Sequence, residues 1–304
     1  YKGNTFDVRS SFYVTVFGEK IVMRILNRID QIISIENIGM QPKVLNRFLM
    51  DVLNVPSGVL IITGPTGSGK TTTLYSCVNH INSPQISVLT AEDPVEIKVP
   101  GVNQVNVLPK IGLDFAGALR AFLRQDPDVV MVGEIRDLET AEIGVKAAQT
   151  GHLVLSTVHT NSAAETLTRL SNMGVSAFNI ASAMSLIIAQ RLARKLCDHC
   201  KTPIDIPKEV LRKEGFHDDE IEQATLFKAV GCKQCTQGYK GRTGIYEVVP
   251  ISDEMRQLVM RDANSLEIDR LARQEGHPSL HHSGLLKVMK GLTSLEEINR
   301  VTKE

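Results

Sequence analysis

The run Gly64-Pro65-Thr66-Gly67-Ser68-Gly69-Lys70-Thr71 satisfies every fixed position of the pattern G-x-x-x-x-G-K-[ST], a spacing that serves phosphate binding. Its glycines let successive backbone N–H groups converge on phosphate oxygens, Lys70 reaches the β- and γ-phosphates, and Thr71 brings a hydroxyl to Mg²⁺. The flanks agree. Gly58-Val59-Leu60-Ile61-Ile62-Thr63 has the apolar character of a buried strand, and Thr72-Thr73-Leu74-Tyr75-Ser76-Cys77-Val78 opens a helix whose N-terminus faces the anion. A chance match on a loop is the bland alternative, and a strand before it with a helix after it speaks against that.

Hydrolysis of a bound nucleotide also needs a metal ligand and a group that orients or deprotonates water. Val129-Val130-Met131-Val132-Gly133-Glu134 is an apolar strand ending in a carboxylate, the layout of a Walker B element, with Gly133 where Asp is commoner. Glu134 is then left to hold Mg²⁺. A second acidic cluster, Glu92-Asp93-Pro94-Val95-Glu96, follows the strand-like residues 87–90, at the edge where ligands of open α/β folds bind. Taken alone, such a turn is solvated surface; beside a P-loop it becomes a source of catalytic carboxylates. His152 and His159 bracket another apolar strand, each either structural or able to sense the γ-phosphate.

Cys197-x-x-Cys200 and Cys232-x-x-Cys235 are two knuckle-like pairs separated by thirty-one residues. Four thiolates in such pairs make a closed tetrahedral Zn²⁺ site, with disulfides as the rival and His199 as a competing ligand. Cys77 stands apart in the P-loop helix, where a buried apolar role fits.

The elements that must position these groups show in the patterning. Phe12, Val14 and Val16 alternate with smaller or polar residues, Gly18-Glu19 supplies a turn, and Ile21, Met23 and Ile25 resume the alternation, which predicts a β-hairpin. Pro42 suits the first turn of a helix. From residue 36 to 195, apolar strand-like runs at 59–63, 87–90, 129–132 and 153–157 alternate with helical patterns such as Phe115, Ala118, Leu119 and Phe122, predicting a largely parallel sheet covered by helices. The chain divides into 1–35, 36–195, a cysteine element at 196–248 and a helical region at 249–304. Thr293-Ser294-Leu295-Glu296 reads as a capping box before the last helix. With 34 basic and 34 acidic residues, the chain lacks the footprint of a dedicated nucleic-acid binder. It has no apolar stretch near the ~18–20 residues of a membrane span and no signal-peptide layout, which predicts a cytosolic protein without membrane insertion. A start without Met, directly into strand-like sequence, predicts a fragment of a longer chain.

The stretch Leu123-Arg124-Gln125-Asp126-Pro127-Asp128, continuing through Glu134 to Ile135-Arg136-Asp137, resembles the signature of the secretion ATPase superfamily, the hexameric motors of type II secretion and type IV pilus assembly. Four blocks occur in that family's order: Walker A at 64–71, the aspartate box at 91–96, the atypical Walker B at 129–134 and the histidine box at 151–159. The resemblance implies a RecA-like α/β P-loop ATPase domain, preceded by the remnant of a small N-terminal α/β (PAS-like) domain and followed by a zinc-binding and helical region. It implies Glu96 as general base, Glu134 as Mg²⁺ partner, and Lys70 and His159 beside the reacting phosphate. Glu92, His152 and residues 64–72 (Gly64, Pro65, Thr66, Gly67, Ser68, Gly69, Lys70, Thr71, Thr72) would contact nucleotide. Arg9 and Arg24 match the family's arginines that neutralise phosphates across a domain or subunit boundary, although Arg9-Ser10-Ser11-Phe12 departs from the commoner Arg-Val-Ser-Thr; on spacing alone both are exposed strand charges. Arg120, Arg124 and Arg136 are further cationic candidates. Residues 231–247 resemble the tetracysteine element of assembly and export motors, which retraction motors lack.

The function so implied is an ATP-, Mg²⁺- and Zn²⁺-dependent homo-hexameric motor. It would act peripherally at the cytoplasmic face of the inner membrane, with a platform protein and its cytoplasmic adaptor as partners and no nucleic acid. A nucleotide-gated scaffold with little turnover and a RecA-like DNA translocase are the alternative readings.

Overall fold

The computed structural model describes residues 6–27, 32–49 and 55–303. Strands β1 (Phe6–Thr15) and β2 (Gly18–Asn27) form an antiparallel hairpin in which Phe12 opposes Ile21 and Thr15 opposes Gly18. The turn falls on Val16 and Phe17, earlier than the Gly18-Glu19 expected from sequence. There Thr15 Oγ1 donates to the Gly18 carbonyl at 2.8 Å and accepts from the Phe17 amide at 3.2 Å, a local closure that apolar patterning does not reveal.

After helix α1 (Pro42–Phe48), the chain alternates strand and helix: β3 (Gly58–Thr63), α2 (Lys70–Ile81), β4 (Val88–Glu92), β5 (Asn103–Asn106), α3 (Phe115–Phe122), β6 (Val129–Val132), α4 (Leu138–Gln149) and β7 (Leu153–Val158). Helices α5 (Ala163–Asn172) and α6 (Ala177–Ala183) then lead to the long strand β8 (Met184–Leu196). Among the described residues these strands and β11 (Tyr239–Pro250) form one seven-stranded sheet, ordered β11-β8-β3-β7-β6-β4-β5. All neighbours are parallel except β11, which runs antiparallel to β8.

Strands β3, β4, β6 and β7 are buried at every position, as expected of parallel strands covered on both faces. Their period of two divides the core. Val59 and Ile61 pack with Ala147, Leu167, Ile180, Met255 and Ile268 on one face, whereas Leu60 and Ile62 pack with Phe48, Leu74, Cys77 and Val78 on the other. Truncating Ile61 to Ala would cost about 2–5 kcal/mol through lost burial and the cavity left behind. Because β3, β4, β6 and β7 are parallel and adjacent, their carboxyl ends emerge at one edge, the edge that carries the P-loop.

Between β8 and β11 the chain makes an excursion containing β9 (Thr202–Pro203), α7 (Lys208–Glu214), α8 (Asp218–Gln223) and β10 (Phe227–Lys228). The boundaries read from sequence at 195 and 248 therefore fall inside strands of the main sheet, and the Cys197 amide donates to the Gly238 carbonyl at 2.9 Å to close the excursion. Helices α9 (Asp253–Met260), α10 (Ser265–Gln274), α11 (Leu280–Met289) and α12 (Leu295–Thr302) follow. Leu211, Ile221, Leu285, Val288 and Ile298 meet Ala193 and Ile245 of β8 and β11 in a separate core.

The last helix is capped one residue later than the sequence pattern indicates. Ser294 is the N-cap and accepts from the Glu297 amide at 3.2 Å, while Thr293 Oγ1 donates to the Arg194 carbonyl. Glu297 is fully buried, accepts from Arg194 and Arg300, and so ties α12 to β8. Burial alone pushes its carboxyl upward, but the hydrogen bonds from Arg300, Arg194 and the Arg194 amide prevail and hold it at about 2.

Candidate functional site

The P-loop closes a turn between β3 and α2. Gly64 has φ 147°, and a Cβ there would lie 2.5 Å from the Gln190 carbonyl oxygen and 2.6 Å from Ser68 Oγ, so only glycine fits. Gly69 is the N-cap of α2 with φ 90° and contributes no side chain, which leaves the first amides of the helix for a ligand. Ser68 Oγ is buried with no hydrogen-bond partner among the described residues. A cradle with no room for a Cβ, open helix amides and an orphaned hydroxyl fit a phosphate.

The loop forms one wall of a cleft of about 530 Å³. Residues 66–72 line it together with Glu92 at the end of β4, Asp93 and Glu96 beyond it, Gly133 and Glu134 beyond β6, and His159 beyond β7. Four sheet ends thus bring the expected groups into one space. Lys70 Nζ donates to the carbonyls of Gly64 at 2.7 Å and Pro65 at 3.3 Å and lies 3.4 Å from His159 Nδ1. An ammonium only donates, so Nδ1 accepts and the imidazole proton sits on Nε2, 3.2 Å from Glu134 Oε1. Arg136 grips the other Glu134 oxygen at 2.8 Å. Burial lowers the Lys70 pKa, with Glu134 opposing and Arg191 reinforcing the shift.

Glu96 lines the same cleft and makes no ion pair among the described residues. Partial burial, reinforced by the nearby Glu92 charge, raises its carboxyl above the ordinary glutamate range, the direction that suits a proton acceptor working near neutrality. Glu92 is differently placed: it is the last residue of β4, buried, and accepts from Thr90 at 2.6 Å, from Gln104 at 3.1 Å and from the Tyr75 hydroxyl. The Tyr75 oxygen in turn accepts from the amides of Glu96 and Ile97, both at 3.2 Å. Tyr75 and Glu92 therefore pin the loop that presents Glu96.

Gly133 also has a reason. A Cβ there would lie 3.3 Å from the Ala91 carbonyl, a contact tighter than ordinary packing, so the carboxylate at this strand end comes from the next residue. Thr71 and Glu134 supply oxygen donors of the kind Mg²⁺ takes, in one cleft.

His152 does not join the site. It precedes β7 whereas His159 follows that strand's end, so the strand's length of about 20 Å separates them. His152 Nδ1 contacts the Ala147 carbonyl at 2.8 Å and closes the C-terminus of α4, a structural role that strand-end position alone cannot distinguish from phosphate sensing. Arg120 pairs with Glu139, and neither it nor Arg124 lines the cleft. Arg9 and Arg24 are directly opposed in the hairpin, but their side chains lie outside the described residues.

Three contributors escaped the sequence reading. Gln190, 1 % exposed within β8, accepts from Thr73 Oγ1 at 2.9 Å and donates to the Ser68 carbonyl at 2.7 Å, fastening the P-loop to the neighbouring strand. Tyr75, buried in α2, joins Glu92 to the loop of Glu96. Arg242 of β11 lines the cleft and also a second cavity of about 590 Å³ bounded by Ile33, Ile38, Gly39 and Thr72. A polar residue interrupting the apolar run Leu186-Ile187-Ile188-Ala189 was the available signal for Gln190.

The four cysteines converge. Sulfur separations are 3.9 Å for Cys197–Cys232, 3.7 Å for Cys200–Cys235 and 3.6 Å for Cys232–Cys235. A tetrahedron with Zn–S bonds of about 2.3 Å has edges of about 3.8 Å, while a disulfide needs about 2.05 Å, so the donor set fits zinc. Amides of Gly231 and Gln234 donate to the sulfurs of Cys200 and Cys232, both at 3.4 Å, which favours thiolates. His199 is not part of the cluster. Cys77 is fully buried in α2, and burial pushes its thiol up to about 12.

The chain is similar to known proteins over nearly its whole length. The chain is 57 % identical over 305 residues to the type IV pilus assembly ATPase PilB of Acinetobacter baylyi, covering 100 % of this chain and 52 % of that protein. It is 44 % identical over 303 residues to the type II secretion system ATPase E of Vibrio cholerae, covering 99 % and 59 % respectively. The chain thus spans about half the length of the curated relatives it matches. Among solved structures, the pilus retraction motor PilT with bound ADP superposes with a TM-score of 0.69 at 25 % identity, covering 100 % of this chain and 79 % of that one. The family model for "Type II/IV secretion system protein" matches residues 1–300, and the chain belongs to that family.

Proposed function

We propose that this chain binds ATP with Mg²⁺ in the 530 Å³ cleft and hydrolyses it, as the motor portion of a machine that assembles pili or exports protein. The observation that carries this reading is the meeting of the P-loop with Glu96, a carboxyl raised in pKa and facing the same space. Lys70 holds the β- and γ-phosphates, and Glu96 takes the proton of the attacking water. Thr71 and Glu134 would hold Mg²⁺, which when bound neutralises charge developing on the phosphoryl oxygens. His159, held between Lys70 and Glu134, couples the phosphate-binding lysine to the metal-binding carboxylate. The nucleoside half enters the adjoining cavity, which shares Gly69, Thr72, Leu192 and Arg242 with the cleft. Arg9 and Arg24 supply positive charge from the hairpin, and a ring of six copies completes each site across a subunit boundary.

The setting is the cytoplasmic face of the inner membrane, where a platform protein and its adaptor receive the motion. No helix among the described residues is long and apolar enough to cross a membrane. The four cysteines would hold a structural zinc that supports the excursion between β8 and β11. Phosphate release from ATP, measured with and without Mg²⁺ alongside native mass, tests the proposal. Metal-dependent turnover together with a hexameric species is expected; nucleotide binding without turnover would replace the motor by a nucleotide-gated scaffold.

A further inference from the structure

A second group of metal-ligand side chains lies away from both the cleft and the cysteines. His217 precedes α8, Glu220 lies in its first turn and His282 lies in the first turn of α11; their ligand atoms all fall within 4.8 Å of one another. We propose that these three residues form a divalent-metal site of the zinc class that clamps α8 onto α11.

The donor set is two imidazoles and one carboxylate, which suits Zn²⁺ and its neighbours and leaves a fourth position for water. His282 Nε2 and Glu220 Oε1 are 3.2 Å apart, and the edge of a tetrahedron with bonds of about 2.0–2.1 Å is about 3.3 Å. That pair already stands at the separation a shared ion requires. The two imidazoles meet edge to face with centroids 5.0 Å apart, so a small side-chain rotation brings the third nitrogen in.

The supports of this group are fixed by other contacts. Glu220 Oε2 accepts from the His217 amide at 2.8 Å, which orients the carboxylate and turns Oε1 toward His282. The His282 amide donates to Ser279 Oγ, the N-cap of α11. Ile221 and Leu285 pack in one core, so the two backbones are held together before any ion arrives. The adjacent His281 offers a contrast within the same helix turn. Its Nδ1 contacts Thr302 Oγ1 at 2.7 Å and its Nε2 the Glu214 carbonyl at 3.0 Å, so both nitrogens serve hydrogen bonds. An ion pair between His282 and Glu220 would need no third partner, whereas His217, the N-cap of α8 in a capping box with Glu220, brings a third donor to that pair and gives the arrangement a metal's ligand count.

Zinc content after equilibration with excess Zn²⁺ and gel filtration tests the site, at a pH about one unit above the ordinary imidazole value. The unsubstituted chain is expected to hold one zinc more than the double variant His217→Gln with His282→Gln, both retaining the zinc of the cysteines. With Co²⁺, the thiolate charge-transfer band is expected to be equal in the two, while the visible d–d absorption falls in the variant. Equal metal content and equal spectra in both proteins would overturn the site. Should the double variant misfold by circular dichroism, Glu220→Gln decides: its amide oxygen still accepts from the His217 amide, and zinc affinity at this site is expected to fall at least about tenfold. Unchanged affinity in that variant would likewise overturn the proposal.

Discussion

Replacing Gln190 by Leu removes two hydrogen bonds while leaving a side chain of similar size within β8. The Thr73 hydroxyl loses its 2.9 Å acceptor and the Ser68 carbonyl loses its 2.7 Å donor, both in buried surroundings. Each orphaned group costs about 1–3 kcal/mol, so the variant should lose roughly 2–6 kcal/mol in all. Part of that loss falls on the whole fold and part on the P-loop, because Ser68 is held to the neighbouring strand by this amide. If about 1.4 kcal/mol falls on the nucleotide-binding form, affinity drops about tenfold. Urea unfolding with an unchanged slope and a lowered midpoint measures the first part, and titration with a fluorescent ATP analogue measures the second. Gln190→Glu should be worse than Leu near neutrality, since it keeps the acceptor for Thr73 but turns a buried carboxylate oxygen toward the Ser68 carbonyl. A Leu variant with both midpoint and affinity unaltered would refute the view that this amide fastens the loop.

Two other outcomes follow from the same contacts. Glu297 has its pKa lowered from 4.5 to about 2, so its contribution of about 3 kcal/mol is present above pH 4.5 and is lost as pH falls toward 2. Stability measured against pH in the Glu297→Gln variant should show a flatter acid limb, and an identical limb would contradict the buried pairing with Arg194 and Arg300. Tyr75→Phe frees the loop that carries Glu96, and a positioning role predicts a fall in kcat of about tenfold, near 1.4 kcal/mol, with KM little changed. A change confined to KM would make Tyr75 a binding residue instead.

Much of the site was legible because its parts sit at strand ends. Lys70, Glu96, Glu134 and His159 each follow an apolar run, and a parallel sheet gathers the carboxyl ends of such runs at one edge. The same logic misplaced His152, since spacing shows that a histidine borders a strand but not whether it borders the ligand's edge. Gln190 and Tyr75 act only through pairing and packing: one needs β8 beside β3, the other needs Glu92 inside the core. Strand β8 was itself obscure, because Ala189, Leu192, Ala193, Arg194 and Lys195 favour helix and become a strand only between β3 and β11. The cysteine pairs were legible as a metal set from spacing, whereas His217, Glu220 and His282 join through the packing of α8 on α11, and sixty-one residues separate the last two in sequence.

The central claim is that Glu96 serves as the base for ATP hydrolysis in the P-loop cleft, and single-turnover phosphate release by Glu96→Gln, with nucleotide binding measured in parallel, tests it most directly. The variant is predicted to bind ATP as tightly as the unsubstituted chain and to release phosphate about 10²–10⁴-fold more slowly. Release at the unsubstituted rate would contradict the account.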